Sequence, residues 1–350
     1  MEINEFYKDR KVLITGHTGF KGSWLCQILL NFGAKVCGIA LEPNTNPSLF
    51  LLLNLQDKIE NHYIDIRNFD EVKTIFNSFK PEIVLHLAAQ PLVIDSYKNP
   101  KYTYDVNVMG TVNVCECIRL SDYVKSFVNV TTDKVYENIE DPNHYYKEDE
   151  KLNGYDPYSN SKSCSELVTQ SYIKSFFKDK KIAVSTCRAG NVIGGGDFAD
   201  NRIIPDCVRA AMANKPIQVR NPNSYRPYQH VLEADMFYLS LAMKQYNDVT
   251  IAGHYNIGPN EEDCISTKQL VDLFVDNWEG TTYVCTNIGG PHEANYLKLD
   301  SSKIRKIFNW KPRWNVNDAV INSINWYKEY EKNKDTIDIT NKQIINYLGL

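Results

Sequence analysis

Residues 11–30, KVLITGHTGFKGSWLCQILL, decide the fold. Lys11 to Thr15 is a short apolar, β-branched run that stops at Gly16, the pattern of a strand buried on both faces. Gly16, Gly19 and Gly22 follow and lead into a helix-like stretch at 23–31. Glycines at this spacing let the backbone turn tightly, approach a pyrophosphate and pack the helix on the strand, while the helix N-terminus supplies amides and a positive dipole end. The spacing is weak evidence by itself. Its position between a buried strand and a helix makes Gly16-His17-Thr18-Gly19-Phe20-Lys21-Gly22 a candidate dinucleotide loop.

Outward from this unit, similar apolar runs recur at 35–39, 82–88, 126–131 and 182–188, with helix-like stretches at 69–79, 102–120 and 159–177 between them. Such alternation predicts an α/β fold with a Rossmann-type doubly wound parallel sheet, in a domain covering 1–190. From Gly190 the texture changes to glycine and proline punctuation, followed by helix-like stretches at 232–246, 267–278 and 317–332 and a short YNIGPN segment. Residues 191–350 are expected to form mainly a smaller, interleaved substrate-binding portion, with about 228–250 returning to the first domain. No internal repeat is present.

The 350 residues are 43% hydrophobic, enough for a sizeable core, and 39 basic against 43 acidic residues give a net charge of −4. That balance offers no footprint for nucleic acid or an anionic membrane and favours a small-molecule partner. Nine scattered cysteines without C-x-x-C spacing argue against a disulfide framework. Cys115 and Cys117 project about 200° apart on a helix, a poor chelate, so no metal is expected. The N-terminus lacks an apolar signal region and no run approaches the ~18 apolar residues of a membrane span, which predicts a cytoplasmic protein.

A dinucleotide fold normally carries an acidic residue near the end of the second strand to bind the adenosine ribose. Here that strand ends at Ala40 with Glu42 as the nearest carboxylate, and no arginine stands there, so NAD is favoured over NADP. Asp65 and Ile66 are candidates for the adenine edge, although an aspartate there also forms turns. Leu87, Ala88 and Ala89 end the next apolar run, where small residues admit a cofactor, and Gln90 follows as a candidate substrate contact. Lys21 is either an aid to phosphate or an exposed loop lysine.

Tyr-x-x-x-Lys occurs four times, at Tyr7/Lys11, Tyr97/Lys101, Tyr158/Lys162 and Tyr330/Lys334, so spacing alone cannot choose among them. Only Tyr158/Lys162 follows a buried strand, a turn at Asp156-Pro157 and then a helical continuation. At i, i+4 the pair shares a helix face, and an ammonium there is expected to lower the phenol pKa so that it can take a proton from a substrate hydroxyl. Thr132-Asp133-Lys134, at the end of the 126–131 run, adds a hydroxyl, an acid and a base. Simple alcohol oxidation does not require them.

These residues carry a resemblance. TGHTGFKGSWL (15–25), TTDKVYEN (131–138), GYDPYSNSKSCSELVTQSY (154–172), RAGNVIGGGDFADNRIIPD (188–206), RNPNSYRPYQHVLE (220–233) and EANYLKLDSSK (293–303) resemble the CDP-glucose 4,6-dehydratases, a branch of the extended short-chain dehydrogenase/reductases, over essentially the whole chain. The resemblance implies an NAD-dependent hydro-lyase acting on a nucleotide-sugar, with Thr132 and Tyr158 on the sugar O4, Lys162 on the nicotinamide ribose and Asp133 protonating the departing C6 hydroxyl. Lys134 stands where related dTDP-glucose and GDP-mannose dehydratases carry a glutamate base for C5. A lysine serves there only if burial or a cation lowers its pKa. Asn191, Arg202 and Arg226 are implied around the diphosphate, and a homodimer or dimer-based oligomer through 102–120 and 159–177. The alternatives are another nucleotide-sugar dehydratase, an epimerase, which needs no acid/base pair after Thr132, or a catalytically silent NAD-binding regulator.

Overall fold

A computed structural model describes residues 2–286, 294, 296–333 and 336–349; the side chain of Asn333 is left aside. Its centre is a seven-stranded sheet of β1 (Lys11–Thr15), β2 (Lys35–Ala40), β3 (Glu60–Tyr63), β4 (Ile83–His86), β5 (Ser126–Val130), β6 (Ala183–Ala189) and β7 (His254–Ile257). The order is β7-β6-β5-β4-β1-β2-β3, and every pairing is parallel. The chain steps from β1 outward to β3, then returns to the other side of β1 with β4. The loops after β1 and β4 therefore diverge at the carboxyl end of the sheet and leave a crevice, where ligands bind in open α/β sheets.

Period-two alternation sorts the strand side chains into two cores. Val12 and Ile14 join one core with the helix α1 (Phe20–Asn31), whereas Leu13, between them, joins the opposite core with α2 (Phe69–Phe79) and α3 (Gly110–Arg119). α4 (Pro157–Tyr172) packs beside α3, and α5 (Val231–Asn247) packs beside α1 against β5 and β6. Both sheet faces are covered. This is why the strands read as continuous apolar runs.

Several sequence expectations change in detail. The helix expected at 23–31 begins at Phe20, directly after Gly19. The stretch 102–120 is broken into Pro100–Tyr104, a π-helical turn Asp105–Met109, and α3; a second π turn, Ile173–Phe177, ends the stretch expected at 159–177. α4 starts at Pro157 because Asp156 accepts the Ser159 amide at 3.0 Å and proline suits the first helical position. The strand β3, Glu-Asn-His-Tyr, carries no apolar pattern and is invisible to periodicity. It is an edge strand, where polar residues are tolerated.

Beyond β6 lie three short two-stranded ladders: Val192–Ile193 with Gln229–His230, Tyr225–Pro227 with Cys264–Ser266, and Ile217–Val219 with Tyr283–Cys285. Helices Ile203–Met212 and Ile337–Leu348, absent from the sequence reading, complete this portion with Thr267–Asn277 and Val316–Asn333. The YNIGPN segment supplies β7, so the C-terminal half closes the sheet beside β6. The nine cysteines are unpaired thiols. Among the described residues no helix is long and apolar enough to cross a membrane.

Candidate active site

The glycine loop turns between β1 and α1. Gly16 has φ +78°, and a Cβ on it would lie 2.7 Å from the Ala88 amide nitrogen. A Cβ on Gly22 would meet the Gly16 carbonyl oxygen at 2.3 Å. α1 opens at Gly19 with no side-chain cap, so its first amides face the crevice end of the sheet. These residues fit a dinucleotide pyrophosphate: the backbone is bare and a helix start is uncapped. Gly22→Ala must push two backbone segments apart. We expect dinucleotide affinity to fall at least ~100-fold with a loss of about 1–3 kcal/mol in stability, measured by calorimetric titration and urea unfolding.

The other expected cofactor residues take diverse positions. Thr18 donates its hydroxyl to the Leu41 carbonyl at 2.9 Å, tying the loop to the end of β2. Phe20 is the first residue of α1. Leu87, Ala88 and Ala89 follow β4, and the Ala88 amide is held by the Thr15 hydroxyl at 3.2 Å. Asp65 accepts the Arg67 amide at 2.9 Å and pairs with its guanidinium at 2.7 Å, the turn-forming role. Ile66 is buried in the second core. Gln90 donates to Thr103 at 2.9 Å and accepts the Leu92 amide, which braces the segment after β4.

Thr132, Asp133 and Lys134 lie beyond β5 rather than on it. Asp133–Val135 form a single 3-10 turn, and the Thr132 oxygen accepts the Lys134 amide at 3.4 Å. The Thr132 hydroxyl donates to Asp133 Oδ1 at 2.9 Å and also makes a hydrogen bond with the Tyr158 phenol. Asp133 is 2% exposed, and its Oδ2 has no hydrogen-bond partner among the described residues. Burial raises its carboxyl above the usual range, opposed by the charges of Lys134, Arg226 and Lys21 and by the Thr132 bond. It is therefore suited to hold a proton. Lys134 follows it on the turn.

On α4, Tyr158, Lys162 and Glu166 recur every fourth residue and share one face. Lys162 donates to the Val130 carbonyl at 3.1 Å, and burial, reinforced by the Lys21 charge, pulls its ammonium down to about 8 against the attraction of Glu166. The expected lowering of the phenol by Lys162 is corrected: burial pushes Tyr158 up to about 12, Asp133 adds to the rise, and the cation that opposes it is Arg202. Desolvation outweighs a single ammonium. A phenolate requires further positive charge in the crevice.

Arg202 pairs with Asp197 at 2.8 Å while its charge reaches Tyr158, and the buried Arg226 donates to the Tyr225 carbonyl at 2.8 Å and to the Ala294 carbonyl. Asn191 connects β6 to the next short strand, and its carbonyl accepts the Gln229 amide at 3.0 Å. Glu293 and Asn295 of the EANYLKLDSSK segment lie outside the described residues.

Three features escaped the sequence reading. Lys21 is turned inward over the Tyr238 ring at 5.9 Å, facing Asp235 and Asp133; burial lowers its ammonium and raises the Asp235 carboxyl, each resisted by the other. His17 is fully buried against Gly38 and bonds Asn61 at 2.6 Å, with burial holding its ring down to about 4. Glu166 and Arg188 pair at 2.9 Å behind Lys162, and Glu166 also accepts from Thr131 and Thr186, each at 2.6 Å. Only Glu166 left a signal, its four-residue step from Lys162.

A crevice at the β1/β4 divergence, lined by a glycine loop on one side and a phenol, hydroxyl and buried carboxyl on the other, defines an extended short-chain dehydrogenase/reductase. Residues 13–322 match the family model described as GDP-mannose 4,6 dehydratase, and the chain belongs to this family. It is 42% identical over 98% of both chains to the CDP-glucose 4,6-dehydratase of Salmonella typhimurium. The fold is shared with the dTDP-glucose 4,6-dehydratase of Bacillus anthracis in complex with NAD (TM-score 0.74, 20% identity, 94% of this chain and 99% of that one). It is shared equally with the UDP-glucose 4-epimerase of Thermotoga maritima with UDP-glucose (TM-score 0.77, 18% identity, 92% and 99%).

Proposed function

We propose that this protein is a CDP-glucose 4,6-dehydratase, converting CDP-glucose to CDP-4-keto-6-deoxyglucose and water with no net redox change. The observation that carries the reaction type is the buried Asp133 carboxyl, joined through Thr132 to the Tyr158 phenol. An epimerase has no use for such an acid. The full-length relationship to the Salmonella typhimurium enzyme supports the cytidine nucleotide.

The glycine loop and the start of α1 would hold the dinucleotide pyrophosphate, with Lys162 at the nicotinamide ribose. NAD is favoured over NADP because the chain after Ala40 offers Glu42 and no arginine to receive a 2′-phosphate. When bound, the nicotinamide accepts hydride from C4 and returns it to C6, and its positive charge favours the phenolate. Tyr158 takes the proton of the C4 hydroxyl as Thr132 orients O4. The resulting ketone acidifies C5–H, which Lys134 removes. Asp133 protonates the C6 hydroxyl so that it leaves as water, and C5 regains a proton as C6 is reduced. Arg202, Arg226, Asn191 and Gln90 line the substrate side, the arginines toward the diphosphate.

Half-exposed Met109 and Leu167, on neighbouring helical segments, favour a dimer through this face. The unpaired thiols suit a cytoplasmic setting. The test uses CDP-glucose deuterated at C4. The product should be lighter by one water, with the label at C6 and solvent hydrogen at C5. Unchanged mass, or label lost to water, would overturn the dehydratase reading.

A further inference from the structure

Dehydration leaves this site with one proton out of place. Oxidation at C4 puts the O4 proton on the Tyr158 oxygen. Departure of the C6 hydroxyl as water takes a proton from Asp133. The C5 proton is removed and a proton is returned there, so that exchange cancels. At product release Tyr158 is a phenol and Asp133 a carboxylate, the reverse of the state that began the cycle, with no change in total charge. If the dehydratase reading holds, on which this inference rests, one proton must pass from the phenol to the carboxylate before the next turnover.

The path is already built. The Thr132 hydroxyl donates to Asp133 Oδ1 at 2.9 Å and is hydrogen-bonded with the Tyr158 phenol. Thr132 is 7% exposed and Asp133 2% exposed, so bulk water has little direct access to either. A hydroxyl both donates and accepts, which lets it take one proton while releasing another. We propose that Thr132 is a proton relay that resets the site: the Tyr158 O–H bond breaks as its proton passes to Thr132 Oγ1, while the Thr132 proton passes to Asp133 Oδ1.

After the transfer Thr132 is again a neutral hydroxyl, now donating to the phenolate, Asp133 carries the proton, and the negative charge has moved to the phenolate oxygen. Both hydrogen bonds reverse direction. Phenol and carboxyl share one negative charge and titrate as a unit. Arg202 favours the charge on the phenolate, and burial favours a neutral Asp133. The second carboxyl oxygen, Oδ2, buried and without a hydrogen bond among the described residues, is the one left for the C6 hydroxyl. The relay and the acid step thus use different oxygens of one carboxyl.

The test compares Thr132→Val, which keeps the shape, with Thr132→Ser, which keeps the hydroxyl. In the NAD-loaded, substrate-free enzyme carrying 13Cζ-tyrosine, with Tyr158→Phe identifying the resonance, the Tyr158 midpoint should rise by about one to two units in Thr132→Val and stay in place in Thr132→Ser. In turnover, kcat should fall about 100-fold in Thr132→Val with KM changed less than about threefold, and Thr132→Ser should restore it. Mixed H2O/D2O rates should report more than one moving proton in wild type and in Thr132→Ser. An unmoved Tyr158 midpoint in folded Thr132→Val, or turnover there within threefold of wild type, overturns the relay. Failure of wild type to release water from CDP-glucose would strike the parent reading instead, and leaves the resonance measurement intact.

Discussion

Tyr158→Phe should lower turnover by about a thousandfold while leaving the fold and dinucleotide binding in place. The phenol oxygen is the only group on the crevice-facing side of α4 placed to take a proton from O4, and losing a positioned general base costs about 10²–10⁴ in rate. Phenylalanine fills the same space, and Tyr158 is a second-position residue of a helix whose start is secured by Asp156 and Pro157. The phenol stands at about 12 through burial, with only Arg202 and the Thr132 bond against it. Its working value therefore depends on charge brought in by the cofactor. Single-turnover rates with C4-deuterated substrate, together with NAD titration, check this. A variant that keeps more than a tenth of wild-type turnover would exclude Tyr158 as the base.

Glu166→Ala should cost about 3–5 kcal/mol of stability, because it strands the Arg188 guanidinium in the interior. Arg188 is enclosed, with Nη1 on the Tyr136 phenol at 2.8 Å and on the Glu148 carbonyl at 3.0 Å, and Glu166 is its only counter-charge there among the described residues. Burial alone would raise the Glu166 carboxyl, yet the Arg188 charge and hydrogen bonds hold it below its usual value. A depressed carboxyl stabilises fully above its unfolded pKa, near ~4.3, and that contribution is lost as pH falls through the lower folded value. Wild type should weaken below about pH 4. Urea unfolding across pH gives both numbers. Replacing both partners together, Glu166→Leu with Arg188→Met, should recover most of the loss, since it leaves no uncompensated charge.

What could be read from residues alone follows from the range of the interaction concerned. β1, β4, β5 and β6 are legible because burial on both faces demands unbroken apolar runs. The phenol and its lysine are legible because a helix places every fourth residue on one face. Lys21 and Asp235 meet across 214 positions, and nothing near either announces the other. The same holds for the Glu148 carbonyl that helps to enclose Arg188. β3 hides for a different reason: an edge strand beside β2 needs hydrogen bonds more than apolar side chains. The effect of Lys162 on the phenol was misjudged because burial cannot be weighed from spacing.

The strand β7 sets an order on the birth of this molecule. β6 is complete once residue 189 has been made, but the strand that covers its free edge ends at Ile257. Sixty-odd residues, about 3–14 s of synthesis at ordinary rates, must follow before that edge can be paired. During that interval a hydrophobic parallel strand is open to any neighbouring nascent chain, and α5, which covers the same region of the sheet, emerges only shortly before β7. A chain halted anywhere between these points carries the whole glycine loop and both members of the tyrosine–lysine pair, yet keeps an adhesive border.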